Sequence, residues 1–170
     1  MKAQSSKLKA QKFKREFSAG AVIYKKTPRG IFFLIGKHSG YHKWVLPKGL
    51  IEEEEHGWQT ALRETEEEMG VRGRLVSKKP IHKVQYFYLA DFKKANQPTR
   101  RVEKYQENGG GKTKVFKTVS FYLAEYLSGK SRNHGWEMEE AGWFQLDEAL
   151  EKMAFEGEKE ALKKAREMIK

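Results

Sequence analysis

Three glutamates, Glu64, Glu67 and Glu68, stand at positions i, i+3 and i+4 of one stretch of chain. On a helix such residues are neighbours on one side. Here that side is opposite an apolar stripe of Trp58, Ala61, Leu62, Thr65 and Met69. Three carboxylates this close repel one another and, left alone, weaken the helix. A divalent cation turns that cost into a binding site. An all-oxygen donor set selects hard ions, and Mg²⁺ takes a few carboxylates together with water and phosphate oxygens. A glycine-containing loop, residues 47–55, precedes the helix, and Gly49 lets the backbone approach an ion or a phosphate closely. The same pattern also describes a glutamate-rich solvated helix face in a chain that is 34% charged. Helix geometry alone does not choose between the two.

The full spacing does. Gly49 is followed after five residues by Glu55, and after seven more by Arg63-Glu64-Thr65-Glu66-Glu67-Glu68-Met69-Gly70-Val71. This resembles the Nudix box, the signature of the Nudix hydrolases. Seven identities (Gly49, Glu55, Arg63, Glu64, Glu67, Glu68 and Gly70) fall in register, a coincidence on the order of 10⁻⁸ per window at residue frequencies of ~7%. Ala19-Gly20-Ala21-Val22, Trp44-Val45-Leu46-Pro47-Lys48-Gly49 and Glu137…Trp143-Phe144 also look like elements of that family in its order, so the resemblance covers residues 17–170. Two positions depart from it. Thr65 stands where a larger aliphatic residue is usual, on the core side. His56 replaces the Ser, Thr or Asp that often caps the helix.

The resemblance implies an α/β (α+β) Nudix fold, a mixed sheet sandwiched between helices, with the box forming a loop–helix–loop metal site for Mg²⁺, Mn²⁺ being able to substitute. It implies that Glu67 and Glu68 are metal ligands with the backbone carbonyl of Lys48, and that Glu64 is a ligand or the base that deprotonates the attacking water. Arg63 belongs to the same catalytic set, ordering the loop through Glu55 and backbone carbonyls more than touching substrate. Gly49, Glu55 and Gly70 are structural box positions. Glu137 matches a position where some members place a further metal-binding or basic glutamate, with Glu139 and Glu140 as rivals. The implied chemistry is hydrolysis of a phosphoanhydride bond in a nucleoside diphosphate linked to another group. Lys117-Thr118-Val119-Ser120-Phe121-Tyr122-Leu123 resembles a strand of the diadenosine tetraphosphate hydrolases, which implies that Lys117 contacts polyphosphate and that Tyr86 or Tyr88 stacks an adenine, with Lys48 on the substrate side of the loop. Strand alternation puts half of Tyr86, Phe87, Tyr88, Phe121 and Tyr122 into ordinary core packing. The alternatives are a (deoxy)nucleoside triphosphate pyrophosphohydrolase that removes damaged nucleotides and, in another class, a non-catalytic Nudix-fold module that binds nucleotide or RNA. RNA as a substrate is less favoured, because a Trp-Gln-x-Pro-Gln-Gly approach to the box is absent.

The elements that must position these residues follow from pattern. Residues 17–26 and 31–35 read as strands joined by the turn Thr27-Pro28-Arg29-Gly30. The box helix runs over 57–69 and stops at Gly70. Residues 83–92 and 115–127 read as long strands, and 141–146 as a short one. Asp147 serves as an N-cap for a short helix, and 158–169 closes the chain as a helix burying Ala161, Leu162, Ala165, Met168 and Ile169.

The net charge is +11, and two segments carry nearly all of it. Residues 1–16 hold six cations against Glu16, and residues 93–114 hold seven against two glutamates. The first reads as a disordered tail and the second as a basic loop insertion in a domain spanning 17–170. The basicity therefore lies outside the fold rather than on a nucleic-acid-reading face, although mobile basic arms would attract polyphosphate or RNA. No apolar run reaches the ~20 residues that span a bilayer. The absence of cysteine removes disulfide and thiolate chemistry and suits a cytoplasmic protein acting on a nucleotide or dinucleoside polyphosphate.

Overall fold

The computed structural model describes residues 13–90 and 113–170. Eight strands and three helices are found among them, in the order β1 (Lys14–Thr27), β2 (Gly30–His38), β3 (Trp44–Val45), β4 (Lys48–Leu50), α1 (Gly57–Met69), β5 (Val71–Leu75), β6 (His82–Ala90), β7 (Thr113–Gly129), β8 (Met138–Phe144), α2 (Leu146–Lys152) and α3 (Glu156–Met168). β1 and β7 run parallel at the centre of the sheet, and every other pairing of these strands is antiparallel, with one isolated parallel bridge between Trp44 and Met153. The outer edge of β7 is shared: its first half pairs with β6 and its second half with β5. Among the described residues no helix is long and apolar enough to cross a membrane.

Alternation along the two central strands builds two cores. Ala19, Ala21, Ile23, Tyr122 and Ala124 face α1, where they meet Ala61 and Met69. Val22, Tyr24, Val119, Phe121 and Leu123 face α2 and α3, where they meet Ala149, Ala161, Leu162 and Ala165. The expected mixed sheet between helices is therefore what the chain forms.

The β1–β2 hairpin closes at Thr27↔Gly30, and Gly30 takes the positive φ (121°) that the turn requires. Further from the turn the two strands splay. The segment 44–50 fills the fork, with β3 pairing to β2 and β4 pairing to β1. Between β3 and β4 lie Leu46 and Pro47, which belong to no strand. The Pro47 carbonyl accepts the Ala21 N–H at 3.1 Å.

Several element limits move. β1 begins at Lys14, so Lys14–Glu16 belong to the sheet, paired with Val115–Lys117, and not to a tail. The rest of the expected tail, 1–12, the last two residues of the expected strand 83–92 and residues 93–112 of the basic loop lie outside the described residues, while Thr113 and Lys114 are already in β7. Asp147 sits in the first turn of α2, where Gln145 holds the cap position. Met168 is half exposed, because the chain leaves helical geometry after it and turns Ile169 inward.

The fork explains Gly20. A Cβ there would collide with the Pro47 carbonyl and come within 2.8 Å of both the Lys48 Cβ and the Phe121 ring. Gly20→Ala is expected to destabilise the fold by about 1–3 kcal/mol, the usual cost of overpacking, read as a lower urea midpoint with an unchanged slope.

Candidate active site

Helix α1 starts after His56, whose N–H is accepted by the Gln59 side chain at 2.8 Å, and ends at Gly70 in the left-handed region (φ 68°). Thr65 is fully buried and donates to the Ala61 carbonyl at 2.7 Å, so the small polar residue in the core is satisfied within its own helix. The three glutamates do not all face away from the core. At 100° per residue Glu68 falls on the flank of the apolar stripe, and it is 6% exposed. The Glu64 side chain is 14% exposed, and Glu67 alone is open, at 58%.

Arg63 organises the helix and the preceding loop. Its Nε and Nη2 donate to the two Glu55 oxygens at 2.8 and 3.0 Å, a bidentate fork. Its Nη2 also reaches the Leu50 carbonyl at 3.3 Å, and its Nη1 donates to Glu64 at 2.8 Å and Glu67 at 3.1 Å. Thr60 adds a third donor to Glu55 at 2.6 Å. Arg63 thus contacts Glu55 and the Leu50 carbonyl, on either side of the loop that leads into the helix. At Gly49 the Glu64 carboxyl group lies where a Cβ would stand, so a side chain there would displace Glu64.

Lys48 is gripped from both sides of the sheet. Its backbone N–H donates to Glu68 Oε2 at 3.0 Å, on the α1 side. Its ammonium pairs with Glu158 Oε1 at 2.9 Å, on the α3 side. Burial pulls the Lys48 amine down, but Glu158, Tyr41 and Glu68 together outweigh it and hold the amine charged. The side chain foreseen on the substrate side is therefore engaged by a carboxylate.

Burial raises the pKa of Glu64 and Glu68, and neighbouring carboxylates, Glu137 among them, raise both further. Glu137 is placed by the loop after β7: Gly135 N–H donates to the Glu68 carbonyl at 3.0 Å, and the Glu137 carbonyl accepts Ser39 N–H at 2.8 Å. Of its rivals, Glu139 is spent on Lys37 (3.2 Å) and His42 (3.1 Å), and Glu140 is exposed. Glu137 is thus the member of the trio whose charge reaches the box.

Among the described residues no three acidic or imidazole side chains converge on one point. The Arg63 guanidinium touches both Glu64 and Glu67, while Glu68 is turned onto the Lys48 amide. The donor set nevertheless fits a hard divalent cation. It is all oxygen, partly desolvated, and carries more negative charge than Arg63 and an already paired Lys48 neutralise.

The expected substrate residues gather on the α3 side of the sheet. Tyr86 pairs directly with Lys117, and Lys117 Nζ lies 5.9 Å from the centroid of the Tyr88 ring. The Tyr88 hydroxyl donates to Glu16. Phe87, of opposite parity, is exposed on the other side, while Phe121 and Tyr122 are core residues. So both tyrosines share the Lys117 face, and the box glutamates lie beyond the β4 edge, where Lys48 connects the two regions. Glu16, Ser18 and Glu158 were not foreseen. Glu16 fell into the presumed tail, although two-residue alternation from Gly20 through Ser18 would have put it on the Lys117 face. Ser18 Oγ is buried there with no hydrogen-bond partner among the described residues. Glu158 looked like an ordinary acid in the first turn of a helix, and its partner Leu46 is 112 residues away.

A mixed sheet between helices, with a glutamate helix clamped to its leading loop through one arginine, defines the Nudix class of protein. The chain belongs to the NUDIX domain family, whose model matches residues 14–165. It is 30% identical over 160 residues to the "Putative mutator protein MutT4" of Mycobacterium tuberculosis (strain CDC 1551 / Oshkosh), a match covering 91% of this chain and 56% of that protein. It is 28% identical over 143 residues to the asymmetrical bis(5'-nucleosyl)-tetraphosphatase of Rattus norvegicus, covering 81% of this chain and 80% of that one. The first of these relatives is thus spanned over little more than half its length. In fold the chain resembles a MutT protein from Methanosarcina mazei Go1 (TM-score 0.61, 19% identity, 94% of this chain and 99% of that one) and the C. elegans Ap4A hydrolase (TM-score 0.57, 23% identity, 89% and 96%).

Arg63 and Glu55 yield a pH prediction. Hydrogen bonds from Arg63 hold the Glu55 carboxyl at about 2 against an ordinary 4.5. A depressed carboxylate contributes stability that is complete above the unfolded value and is lost as pH falls through the folded one. Urea unfolding should therefore show stability falling between about pH 4.5 and 2 from this pair. Arg63→Met should cost about 2 kcal/mol at pH 7, less than a fully buried pair because the arginine is a quarter exposed, and should flatten that acid limb.

Proposed function

We propose that this protein is a divalent-metal-dependent hydrolase of phosphoanhydride bonds, and that its substrate is a dinucleoside polyphosphate, diadenosine tetraphosphate being cut to ATP and AMP. The observation that carries this reading is the meeting of two chemistries at Lys48. A partly buried carboxylate cluster lies on one side of it. On the other lies a sheet face where Lys117 stands opposite Tyr86 and near Tyr88, rings of a kind that can stack a base. The 28% identity to a bis(5'-nucleosyl)-tetraphosphatase over 81% of the chain supports the substrate class.

Glu67, Glu68 and the Lys48 carbonyl would hold Mg²⁺, with Glu64 and Glu137 adjoining. Bound there, the ion would offset phosphate charge and make a water more acidic. The remaining work belongs to the chain. Glu64 either completes the ligand set or accepts the proton of the attacking water. That water's oxygen forms a bond to phosphorus in line with the anhydride oxygen, whose bond breaks, so that two phosphate products leave. Arg63 keeps Glu55, Glu64 and the loop at Leu50 in one arrangement, so little reorganisation is needed during the reaction. Lys117 binds the polyphosphate, and Tyr86 or Tyr88 receives the adenine.

A second reading, a nucleoside triphosphate pyrophosphohydrolase, is favoured by the 30% identity to the mycobacterial mutator relative. The box is common to both readings, so substrates must decide between them. Purified protein with Mg²⁺ is incubated with diadenosine tetraphosphate, ATP, 8-oxo-dGTP, ADP-ribose and 5′-triphosphate RNA, and products are separated by ion exchange. The expected result is ATP plus AMP from the dinucleotide, abolished in Glu67→Gln. Lys117→Met should lower kcat/KM roughly 10- to 100-fold, the loss of one charge-assisted phosphate contact. Turnover of the mononucleotides alone would sink the dinucleotide assignment and keep the hydrolase. Inertness toward the whole panel by a folded, Mg²⁺-binding protein would favour a binding module instead.

A further inference from the structure

The first turn of α3 touches two separate parts of the site. Gly157 lies against Val84 of β6, so closely that a Cβ would stand 2.7 Å from a valine methyl. β6 carries Tyr86 and Tyr88 two and four residues further on. The next residue of α3, Glu158, is 5% exposed and reaches across to the fork segment. Its Oε2 accepts the Leu46 N–H at 2.8 Å, and its Oε1 pairs with the Lys48 ammonium at 2.9 Å. Leu46 is fully buried and outside the strand ladder, and Pro47 has no N–H to offer. The segment that leads into Lys48 therefore has few backbone bonds of its own, and a side chain from the opposite face of the sheet supplies what is missing.

We infer that Glu158 is a positioning residue for the metal-binding loop. By fixing Leu46 and the Lys48 side chain from the α3 side, it sets where the Lys48 amide and carbonyl stand against Glu68 on the α1 side. Because Gly157 keys the same turn to β6, the turn also sets the distance between the loop and the tyrosine strand. The inference rests on the metal-site reading above. It requires more than stability from Glu158: without it the loop shifts while the three box glutamates remain, so cation affinity and kcat fall together and KM is spared.

The test is Mn²⁺ binding followed by electron paramagnetic resonance, alongside kcat and KM, for wild type, Glu158→Ala, Glu158→Gln and Leu162→Ala. Leu162 is a buried residue of the same helix in the core cluster that also holds Leu46, and its truncation destabilises α3 while leaving the Glu158 bonds to Leu46 and Lys48 in place. Glu158→Ala is expected to weaken Mn²⁺ binding at least tenfold, as removal of outer-sphere partners does, and to lower kcat 10- to 100-fold with KM within about threefold. Glu158→Gln keeps an acceptor for Leu46 but loses the charge facing Lys48. It should fall between, and it carries the test if the alanine variant does not fold. Leu162→Ala should lower the Tm and leave Mn²⁺ affinity unchanged. Glutamate variants that bind Mn²⁺ within twofold of wild type while losing Tm would make Glu158 a packing residue and overturn this inference alone. A wild type that binds no Mn²⁺ would overturn it together with the proposed function.

Discussion

A carboxylate taken out of water must be given donors or a cation, because an unpaired buried charge costs several kcal/mol. Glu55, Glu68 and Glu158 all face that demand, and each meets it on the chain between Leu46 and Arg63. Glu158 takes the Leu46 N–H and the Lys48 ammonium, Glu68 takes the Lys48 N–H, and Glu55 takes Arg63 and Thr60. These bonds tie α1, α3 and the loop between them to one short segment. The geometry of the site is thus a consequence of how its negative charge is accommodated.

That segment is available because the sheet forks. Where β1 and β2 separate, strand pairing lapses at Leu46 and Pro47, and backbone groups that a regular ladder would have consumed are left for side chains. The fork is tight. Gly20 lets Pro47 cross β1, and Gly49 lets the Glu64 carboxyl group lie against the backbone. Both glycines are needed for close approach, and neither has a positive φ. After all these bonds are counted, burial and the nearby Glu137 still push the Glu64 and Glu68 carboxyl groups above the usual carboxylate range, toward the protonated form. Under the proposed function, a divalent cation would reverse that push by favouring the charged carboxylates.

Much of this could be read from the sequence, because it is local. The limits of α1, its stop at Gly70 and the hairpin turn at 27–30 depend on residues within about a dozen positions of one another, while the coupling of Arg63 to Glu55 comes through the resemblance to the Nudix box. What could not be read depends on distant partners or on small rotations. The burial of Glu68 follows from 20° or so about the helix axis, too fine for a stripe drawn by eye. Alternation could carry Glu16 to one face, but its place beside Lys117 rests on the parallel pairing of β1 with β7, whose strands are about a hundred residues apart in sequence. Glu158 needed the fork, which no pattern of apolar residues announces. Met168 was placed inside by periodicity, but the helix ends there and Ile169 takes the buried position through a different backbone conformation.

The two faces of the sheet divide the work that a nucleotide hydrolase would require. Strand alternation forces Lys117, Tyr86 and Tyr88 to one side, with Glu16 and Ser18 of the parallel neighbour, and sends Phe87 to the other. The helix with the glutamates is packed on the opposite side, so the Lys117 face and the box glutamates do not share one surface. They meet only at the sheet's forked edge, at Lys48, whose backbone serves the α1 side while its side chain is held on the α3 side. A substrate served by both regions must be long enough to run from the tyrosine strand to that edge. Under the proposed function, the separation of these two regions would make polyphosphate length, more than base identity, the property that distinguishes a dinucleoside polyphosphate from a nucleoside triphosphate.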